Sequence, residues 1–287
     1  MMLSKTAIGR AMPALALTLA LAAPALAETD PKAAALLPQD IASAGVLKVV
    51  TSLAYPPMEF TDPGSDELKG FDMDLARAIG ERLGLKVEFT NVEFPQLIPQ
   101  IVTDRSDMLI SAFSDKVERR AQLDFIDYFI TGNVFYAIAE NKAEIGALKD
   151  LCGKTIAVAT GTSWVTWAEE TGKATCPADQ PFNVIQIATQ AEHIMQMRLG
   201  RAQASVIGVE GLADLALTEP GKFYQLGEPG EQNPYGIAFA KDNPQLRDAV
   251  LAALNGMLAD GSYKQIVERY QLTVGQVDKF VVNGATP

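Results

Sequence analysis

The alternation of short apolar runs with amphipathic segments most limits how this chain can fold. The β-branched run VLKVVTS at 46–52 predicts a buried strand. Apolar residues then recur every four positions from Leu75 to Leu83, which predicts a helix with Asp72 capping its start and Gly84 ending it. A strand in LKVEF, a short helix in FPQLIPQIV and a buried strand in DMLIS follow. This order implies an α/β fold with a parallel sheet and helices on its faces.

The same alternation restarts near residue 134. VFYAIAE at 134–140, KTIAVA, FNVIQIA and ASVIGV predict strands, and helices are predicted after TGTSW and in QAEHIMQMRLG. YGIAFAK at 235–241 predicts a further strand. An apolar stripe from Leu246 to Leu258 and the segment SYKQIVERYQL predict two more helices. The chain therefore contains a second α/β unit.

The N-terminus has the pattern of a secretory signal. Lys5 and Arg10 precede the apolar run AMPALALTLALAAPALA, which ends in small residues. A membrane anchor is the alternative, but Pro13 and Pro24 interrupt the run, and its apolar core is shorter than a spanning helix needs. We expect cleavage after Ala27 without a lipid anchor, because no cysteine lies near that site. The 260 remaining residues, expected in the periplasm, suffice for two lobes with separate cores.

The net charge and the cysteine content exclude further classes of function. The formal charge of −11 becomes −13 without the two basic residues of the leader, and such an acidic chain repels nucleic acid. Cys152 and Cys176 are predicted to form a disulfide, because exported thiols usually pair. With the single His193, which is expected to be solvated on a polar helix face, they match no familiar metal-ligand set. We predict no metal site and no cofactor.

Six segments occur in an informative order: YPPMEF, GFDMDLARAIGERLG, LIPQIVTDRSDMLIS, ERRAQLDFIDYF, GKTIAVATGTSW and PYGIAFAKDNPQLRDAVLAALNGMLADGSYKQIVERY. This series resembles the periplasmic solute-binding proteins of polar-amino-acid ABC transporters, the family 3 extracellular solute-binding proteins, over nearly the whole mature chain. The resemblance implies a two-lobed periplasmic binding protein (type II-like) with two crossover strands and an interlobe ligand cleft that closes by hinge motion. Lobe 1 would comprise residues 28–131 and 236–287, and lobe 2 residues 132–235.

The resemblance also assigns a carboxylate anchor. In the family, an arginine six residues before the phenylalanine of a DF pair holds the α-carboxylate of the ligand. Here the pair is Asp124–Phe125, and the arginine is Arg119. The preceding strand end would supply backbone N–H groups and a hydroxyl from Ala112 and Ser114. A guanidinium fork binds both oxygens of a carboxylate, so this chemistry is consistent with a buried acid.

Arg119 is followed directly by a second arginine. Arg120 occupies the next position, which is usually exposed in the family. The alternative role for Arg119 is an ion pair with Asp124 or Asp127 rather than with a ligand.

The remaining predicted ligand contacts come from both lobes. In ATGTSW, a glycine turn leads into a helix start that attracts anions, and Thr162 can cap this helix. The resemblance places Thr162, Ser163 and Trp164 at the cleft, and it gives Tyr55 and Phe94 as aromatic cleft positions. The alternative is an ordinary capped helix with these aromatic side chains in the core.

One departure from the family concerns the ligand's ammonium group. In the family, the segment GRADAVVxD ends in an aspartate that pairs with the α-ammonium. Here the segment reads GRAQASVIGVEG, which puts Gly208 at that position. Either Glu210 or Glu59 reaches the amine from another direction, or the solute has no free primary α-ammonium. We favour the second account, because an unpaired buried ammonium is costly.

The predicted function is the non-catalytic substrate-binding component of an ABC importer. It would capture a small carboxylate-bearing solute, an amino acid or a derivative, and deliver it as a monomer to a permease in the inner membrane. One alternative is a dehydratase-like periplasmic enzyme on the same scaffold, with Glu59, Glu93 or Glu210 as the acid. The chain lacks a GxSxG elbow and a phosphate loop. Another alternative is a ligand-sensing partner of a receptor.

Overall fold

The computed structural model describes residues 29–230 and 232–284, so the predicted signal at 1–27 lies outside the described residues. The first part of the chain alternates strands and helices in the predicted order. Its elements are α1 (Pro31–Ala34), α2 (Gln39–Ala44), β1 (Val46–Thr51), β2 (Phe60–Thr61), β3 (Leu68–Lys69), α3 (Phe71–Leu83), β4 (Lys86–Asn91), α4 (Leu97–Val102) and β5 (Met108–Leu109).

The second part begins with a long strand and ends with two consecutive helices and a short strand. Its elements are β6 (Leu123–Ile138), β7 (Thr155–Ala159), α5 (Ser163–Thr175), β8 (Asn183–Ile187), α6 (Gln190–Arg198), β9 (Ala204–Gly208), α7 (Val209–Thr218), β10 (Phe223–Leu226), β11 (Gln232–Ala240), α8 (Pro244–Asp260), α9 (Ser262–Arg269) and β12 (Val281–Val282). The sequence analysis did not predict α7 and β10, nor the short elements α1, α2, β2, β3 and β12.

The main sheet has the strand order β4-β1-β5-β11-β6-β9-β7-β8. β1 is parallel to β4 and β5 in one half, and β7 is parallel to β8 and β9 in the other. β6 and β11 pair antiparallel between the halves, and β6 continues from its pairing with β11 into its pairing with β9. The result is a two-lobed α/β fold in which these two strands connect the lobes. The predicted lobe boundaries fall within them.

Backbone geometry at the start of α3 brings an acid into the core. The N-cap residue of this helix is Gly70, whose φ of 121° and contact with the backbone of Met58 leave no room for a side chain. The prediction that Asp72 caps the helix is therefore wrong. Asp72 lies inside the first turn and is fully buried, and its carboxylate accepts hydrogen bonds from Ala112 N at 2.7 Å and Tyr128 Oη at 2.8 Å. Gly84 ends the helix in a left-handed conformation, as predicted.

The junction between β7 and α5 faces the other lobe. Thr162 holds the N-cap position, but its hydroxyl donates to Ala159 O at 2.7 Å, so the predicted side-chain cap is wrong. The predicted disulfide is confirmed: Cys152 precedes β7 and is bonded to Cys176 at the end of α5. The disulfide thus encloses the strand and the helix that carry this junction.

No helix in residues 29–230 and 232–284 has the length and apolar character needed to cross a bilayer.

Candidate ligand-binding site

A cavity lies between the lobes, beside the ends of β1 and β5 on one side and the starts of α5 and α6 on the other. Its volume is about 50 Å³. Eight of the ten predicted site residues line this cavity: Tyr55, Phe94, Ala112, Ser114, Arg119, Thr162, Ser163 and Trp164. The structure thus brings together side chains that are far apart in the sequence.

Arg119 presents a cation to the cavity. Its Nη1 donates to Ser114 O at 2.8 Å, and its guanidinium lies 3.9 Å from the centre of the Phe113 ring. Burial lowers the pKa of Arg119 to about 10, which leaves the side chain charged at neutral pH. Within the described residues, no carboxylate forms an ion pair with Arg119, and Asp124 is instead bonded to Arg247. The alternative pairing considered from the sequence is therefore absent.

The neighbouring Arg120 has a different environment. Its Nε and Nη2 donate to the two carboxylate oxygens of Asp115 at 2.7 Å and 2.5 Å. Asp115 is fully buried, and the Arg120 side chain is only 19% exposed, whereas the sequence analysis expected an exposed residue. This bidentate pair anchors the turn that carries Arg119.

The strand end before these arginines is held in an unusual conformation. Ala112 has a φ of 42°, in the left-handed region that residues with a side chain rarely adopt. Its N–H, which the sequence analysis expected to contact the ligand, donates instead to Asp72. Ser111 accepts a hydrogen bond from Ser52 N at 3.0 Å and donates to Glu59 Oε1 at 3.1 Å. Internal hydrogen bonds thus fix the floor of the cavity.

Two carboxyl groups meet below this floor. Glu59 lines the cavity, is only 2% exposed, and lies within hydrogen-bonding contact of Asp72. Burial raises the pKa of Asp72 to about 7, and burial together with the adjacent Asp72 raises the pKa of Glu59 well above its ordinary value. Asp72 accepts from two other donors, whereas Glu59 Oε2 has no hydrogen-bond partner among the described residues. The carboxyl group that faces the cavity therefore retains a proton more readily than a solvated glutamate does.

The second lobe contributes a helix start and an aromatic side chain. Gly161, with a φ of 74°, approaches Pro95 of the first lobe so closely that a Cβ would lie 2.9 Å from the proline ring. The helix that follows begins with Ser163 and Trp164 at the cavity. Trp164 meets Tyr55 of the first lobe edge-on, with ring centroids 5.5 Å apart. Aromatic surfaces therefore extend across the cleft.

His193 also lines the cavity, and the expectation that it is solvated is wrong. It is 2% exposed, and its two ring nitrogens lie 3.1 Å from Ile187 O and 3.2 Å from Ser205 Oγ. Burial lowers the pKa of His193, so the imidazole is neutral and acts as part of the wall. Its neighbour Gln190, which was not predicted, lines the cavity with a buried Oε1 that has no hydrogen-bond partner among the described residues.

Gly208 and Glu210 do not line the cavity, contrary to prediction. Glu210 is 1% exposed, and its carboxylate accepts hydrogen bonds from Tyr55 Oη at 2.6 Å, Tyr235 Oη at 2.8 Å and the hydroxyl of Thr131. The Tyr55 hydroxyl also accepts from Gly208 N at 3.0 Å. A Cβ at position 208 would overlap the Glu210 carboxylate and lie 2.6 Å from Tyr55 Oη. The space beside Gly208 is thus filled by the protein itself.

Comparison with known proteins gives the family. Residues 47–273 match the bacterial extracellular solute-binding proteins, family 3. The chain belongs to this family. It is 28% identical to the arginine-binding protein ArgT of Corynebacterium glutamicum over 255 residues, which cover 88% of this chain and 83% of the relative.

Solved structures agree with this family assignment. An ancestral arginine-binding protein bound to arginine has a TM-score of 0.71 and 32% identity, and the match covers 79% of this chain and 98% of that one. An ancestral amino acid-binding protein described as a precursor of cyclohexadienyl dehydratase has a TM-score of 0.70 and 28% identity, covering 80% and 97%. The predicted family and the two-lobed α/β fold are confirmed.

Several cavity residues of this family 3 protein were not predicted as ligand contacts, among them Ser52, Ser111, Gln190 and His193. A usable signal existed for Gln190, because it starts the helix that follows β8. Thr162 had been predicted from such a helix start, after β7, together with the family resemblance. For His193, nothing in the local pattern indicated that this face of the helix was covered.

Proposed function

We propose that this protein is the periplasmic substrate-binding component of an ABC importer and that it captures a small carboxylate-bearing solute between its lobes. The observation that carries this proposal is Arg119, a cation at the cavity that forms no ion pair within the described residues. Taking a guanidinium out of water without an anion is unfavourable. A solute carboxylate would supply that anion and accept the two parallel bonds of the guanidinium fork.

The connection between the lobes supports capture by closure. Two antiparallel strands, β6 and β11, join lobes proposed to comprise residues 28–131 with 236–287 and residues 132–235. Tyr55 contacts Trp164 and Glu210 across the cleft, so the conformation described here is closed around the cavity. A solute that contacts both lobes would favour this closed state over an open one.

Cellular location and partners complete the proposal. Cleavage of the signal after Ala27 would release the chain into the periplasm, where a monomer would pass its solute to a permease in the inner membrane. The family match and a relative named as an arginine-binding protein support transport of amino acids or their derivatives.

An enzymatic role is the second candidate, and one observation favours it. Glu59 is a buried acid at the cavity with a strongly raised pKa, as a general acid requires, and one structural relative is described as a precursor of a dehydratase. However, Glu59 accepts a hydrogen bond from Ser111, and this contact holds the floor of the site without any substrate. We therefore place binding ahead of catalysis.

A screen with recovery of the ligand tests both roles. Thermal shifts are measured with amino acids, hydroxy acids, betaines and other small carboxylates, and each hit is confirmed by calorimetry. At 100 times its dissociation constant a true ligand adds about 2.7 kcal/mol to the free energy of unfolding. Mass spectrometry of the recovered hit should detect the unchanged molecule. A converted product would favour the enzyme, and the absence of any carboxylate hit would contradict the proposal.

A further inference from the structure

The guanidinium of Arg119 rests on a buried aromatic side chain that does not itself line the cavity. Its central carbon lies over the Phe113 ring, 3.9 Å from the ring centroid. Phe113 is 1% exposed and is not among the residues that line the cavity. A cation over an aromatic ring is attracted to the negative face of the ring, most strongly where water is excluded. Phe113 is therefore a partner that Arg119 has before any solute enters.

Two further aromatic rings pack against Phe113. The Phe125 ring is nearly parallel to it, at 14°, with the centroids 6.0 Å apart, and the Phe94 ring is tilted against it with the centroids 5.5 Å apart. Phe113 and Phe125 belong to one hydrophobic cluster, and Phe94 packs against that cluster. Because a close-packed interior leaves a ring few alternative positions, Phe113 offers Arg119 a fixed surface.

Without this surface, Arg119 would have competing positions. The carboxylate of Glu118, the preceding residue, is exposed and attracts Arg119 electrostatically. An arginine released from the ring would turn toward this acid and toward water. The solute would then bind only to the fraction of molecules in which the guanidinium points into the cavity, and the apparent affinity falls by that fraction.

We propose that Phe113 is a positioning residue: its buried ring holds the guanidinium of Arg119 at the cavity while no solute is bound, so that the fork is already in place for a carboxylate. This inference rests on the proposed function and deepens it, because it assigns control of affinity to a residue outside the cavity lining. The bond from Arg119 Nη1 to Ser114 O, at 2.8 Å, fixes one side of the guanidinium. The N–H groups not used in that bond remain for the solute.

Calorimetry on the full mature protein tests this role with arginine, glutamine and lactate as probes, using the one that binds most tightly. Phe113→Leu keeps an apolar side chain but removes the ring, and it should weaken binding about tenfold, a difference of about 1.4 kcal/mol. Phe125→Leu removes an equally buried ring of the same cluster that is not in cation–π contact with Arg119 within the described residues. This control should lower the urea midpoint similarly but keep the affinity within about twofold of wild type. Equal losses of affinity in the two variants overturn the inference.

A readout without any ligand comes from the arginine side-chain signals in a proton–nitrogen NMR spectrum. The Nε–H signal of Arg119 is identified by its loss in Arg119→Lys. Since a proton over a ring face is shifted upfield, Phe113→Leu should move this signal downfield, and Phe125→Leu should leave it in place. A signal that does not respond to Phe113→Leu contradicts a ring that holds the guanidinium.

A double-mutant cycle separates an effect through Arg119 from a general disturbance of the strand end. In the Arg119→Lys background the cation is a compact ammonium without a fork, so Phe113→Leu should change the affinity by less than about threefold. An equal loss in both backgrounds overturns the inference, because Phe113 would then act through its neighbours Ala112 and Ser114. If Arg119→Ala weakens binding and Phe113→Leu does not, this inference alone fails. If no probe binds, or if Arg119→Ala binds as wild type does, the proposed function fails with it.

Discussion

Replacement of Arg119 by alanine should weaken solute binding without unfolding the protein. The guanidinium donates one bond to Ser114 O, and its other N–H groups remain for a carboxylate. Without it, the solute anion would be buried in a cavity whose described lining contains no other Lys or Arg residue. Removing one partner of such a pair costs about 2–5 kcal/mol, which corresponds to roughly 30-fold to 5000-fold in the dissociation constant. Arg119→Lys keeps the charge but loses the fork and the contact of the guanidinium with the Phe113 ring, so an intermediate loss of affinity is expected.

The adjacent residue provides a matched control. Arg120→Ala removes the same side chain one position later, where it is bonded to the buried Asp115. This variant should lose about 1–3 kcal/mol of folding stability, because the Asp115 carboxylate loses its guanidinium, and should keep its affinity within about threefold. Calorimetry with a hit from the screen measures binding, and urea unfolding measures stability. The reasoning is refuted if Arg119→Ala binds within about threefold of wild type, or if Arg120→Ala has the larger effect on affinity.

Three further perturbations test the closure of the lobes, the contribution of the disulfide to stability and the pH dependence of stability. Tyr55→Phe removes a hydrogen bond from Tyr55 to Glu210 across the cleft, so small-angle scattering of the unliganded protein should record a larger radius of gyration; an unchanged radius would contradict a role in closure. Reduction of Cys152–Cys176, or Ser at both positions, should lower unfolding free energy by about 3 kcal/mol in urea, and an unaffected midpoint would argue against that contribution. Burial raises the pKa of Asp127 to about 7, so the folded protein keeps a proton that the unfolded chain releases above about pH 4, and the stability contribution is lost as pH rises between these values. Asp127→Asn should flatten this decline in thermal melts from pH 4 to pH 8, and a curve parallel to that of wild type would exclude Asp127 as its source.

Local pattern was sufficient for most of the secondary structure. The helix over Phe71–Leu83 follows from the four-residue apolar spacing and ends at Gly84 as predicted. The disulfide also followed from the sequence, because two cysteines permit only one pairing within the chain. By contrast, α7 (Val209–Thr218) was not predicted.

The residues of the candidate site were likewise predicted only in part. The ordered motifs led to Arg119, Thr162 and Ser163, which lie at the cavity because ends of parallel strands meet there. They could not assign Gln190, whose relevance depends on an unpartnered oxygen. The exclusion of Glu210 was also not predictable, because it depends on hydroxyl groups contributed by distant strands.

The sequence by itself determined the α/β alternation, the family and the residue types available to a binding cleft, because periodicity and motif order are properties of local sequence. Only the tertiary structure decided which polar groups are free. Asp72 was expected to cap a helix and His193 to face water, but each is buried by elements far away in the chain. Burial and the nearest donor or acceptor set the charge and hydrogen-bonding capacity of such a group, and both depend on long-range packing. For this reason the sequence was sufficient to predict Arg119. Only the packing shows that Glu59 lies beside Asp72 and that Tyr55 is hydrogen-bonded to Glu210.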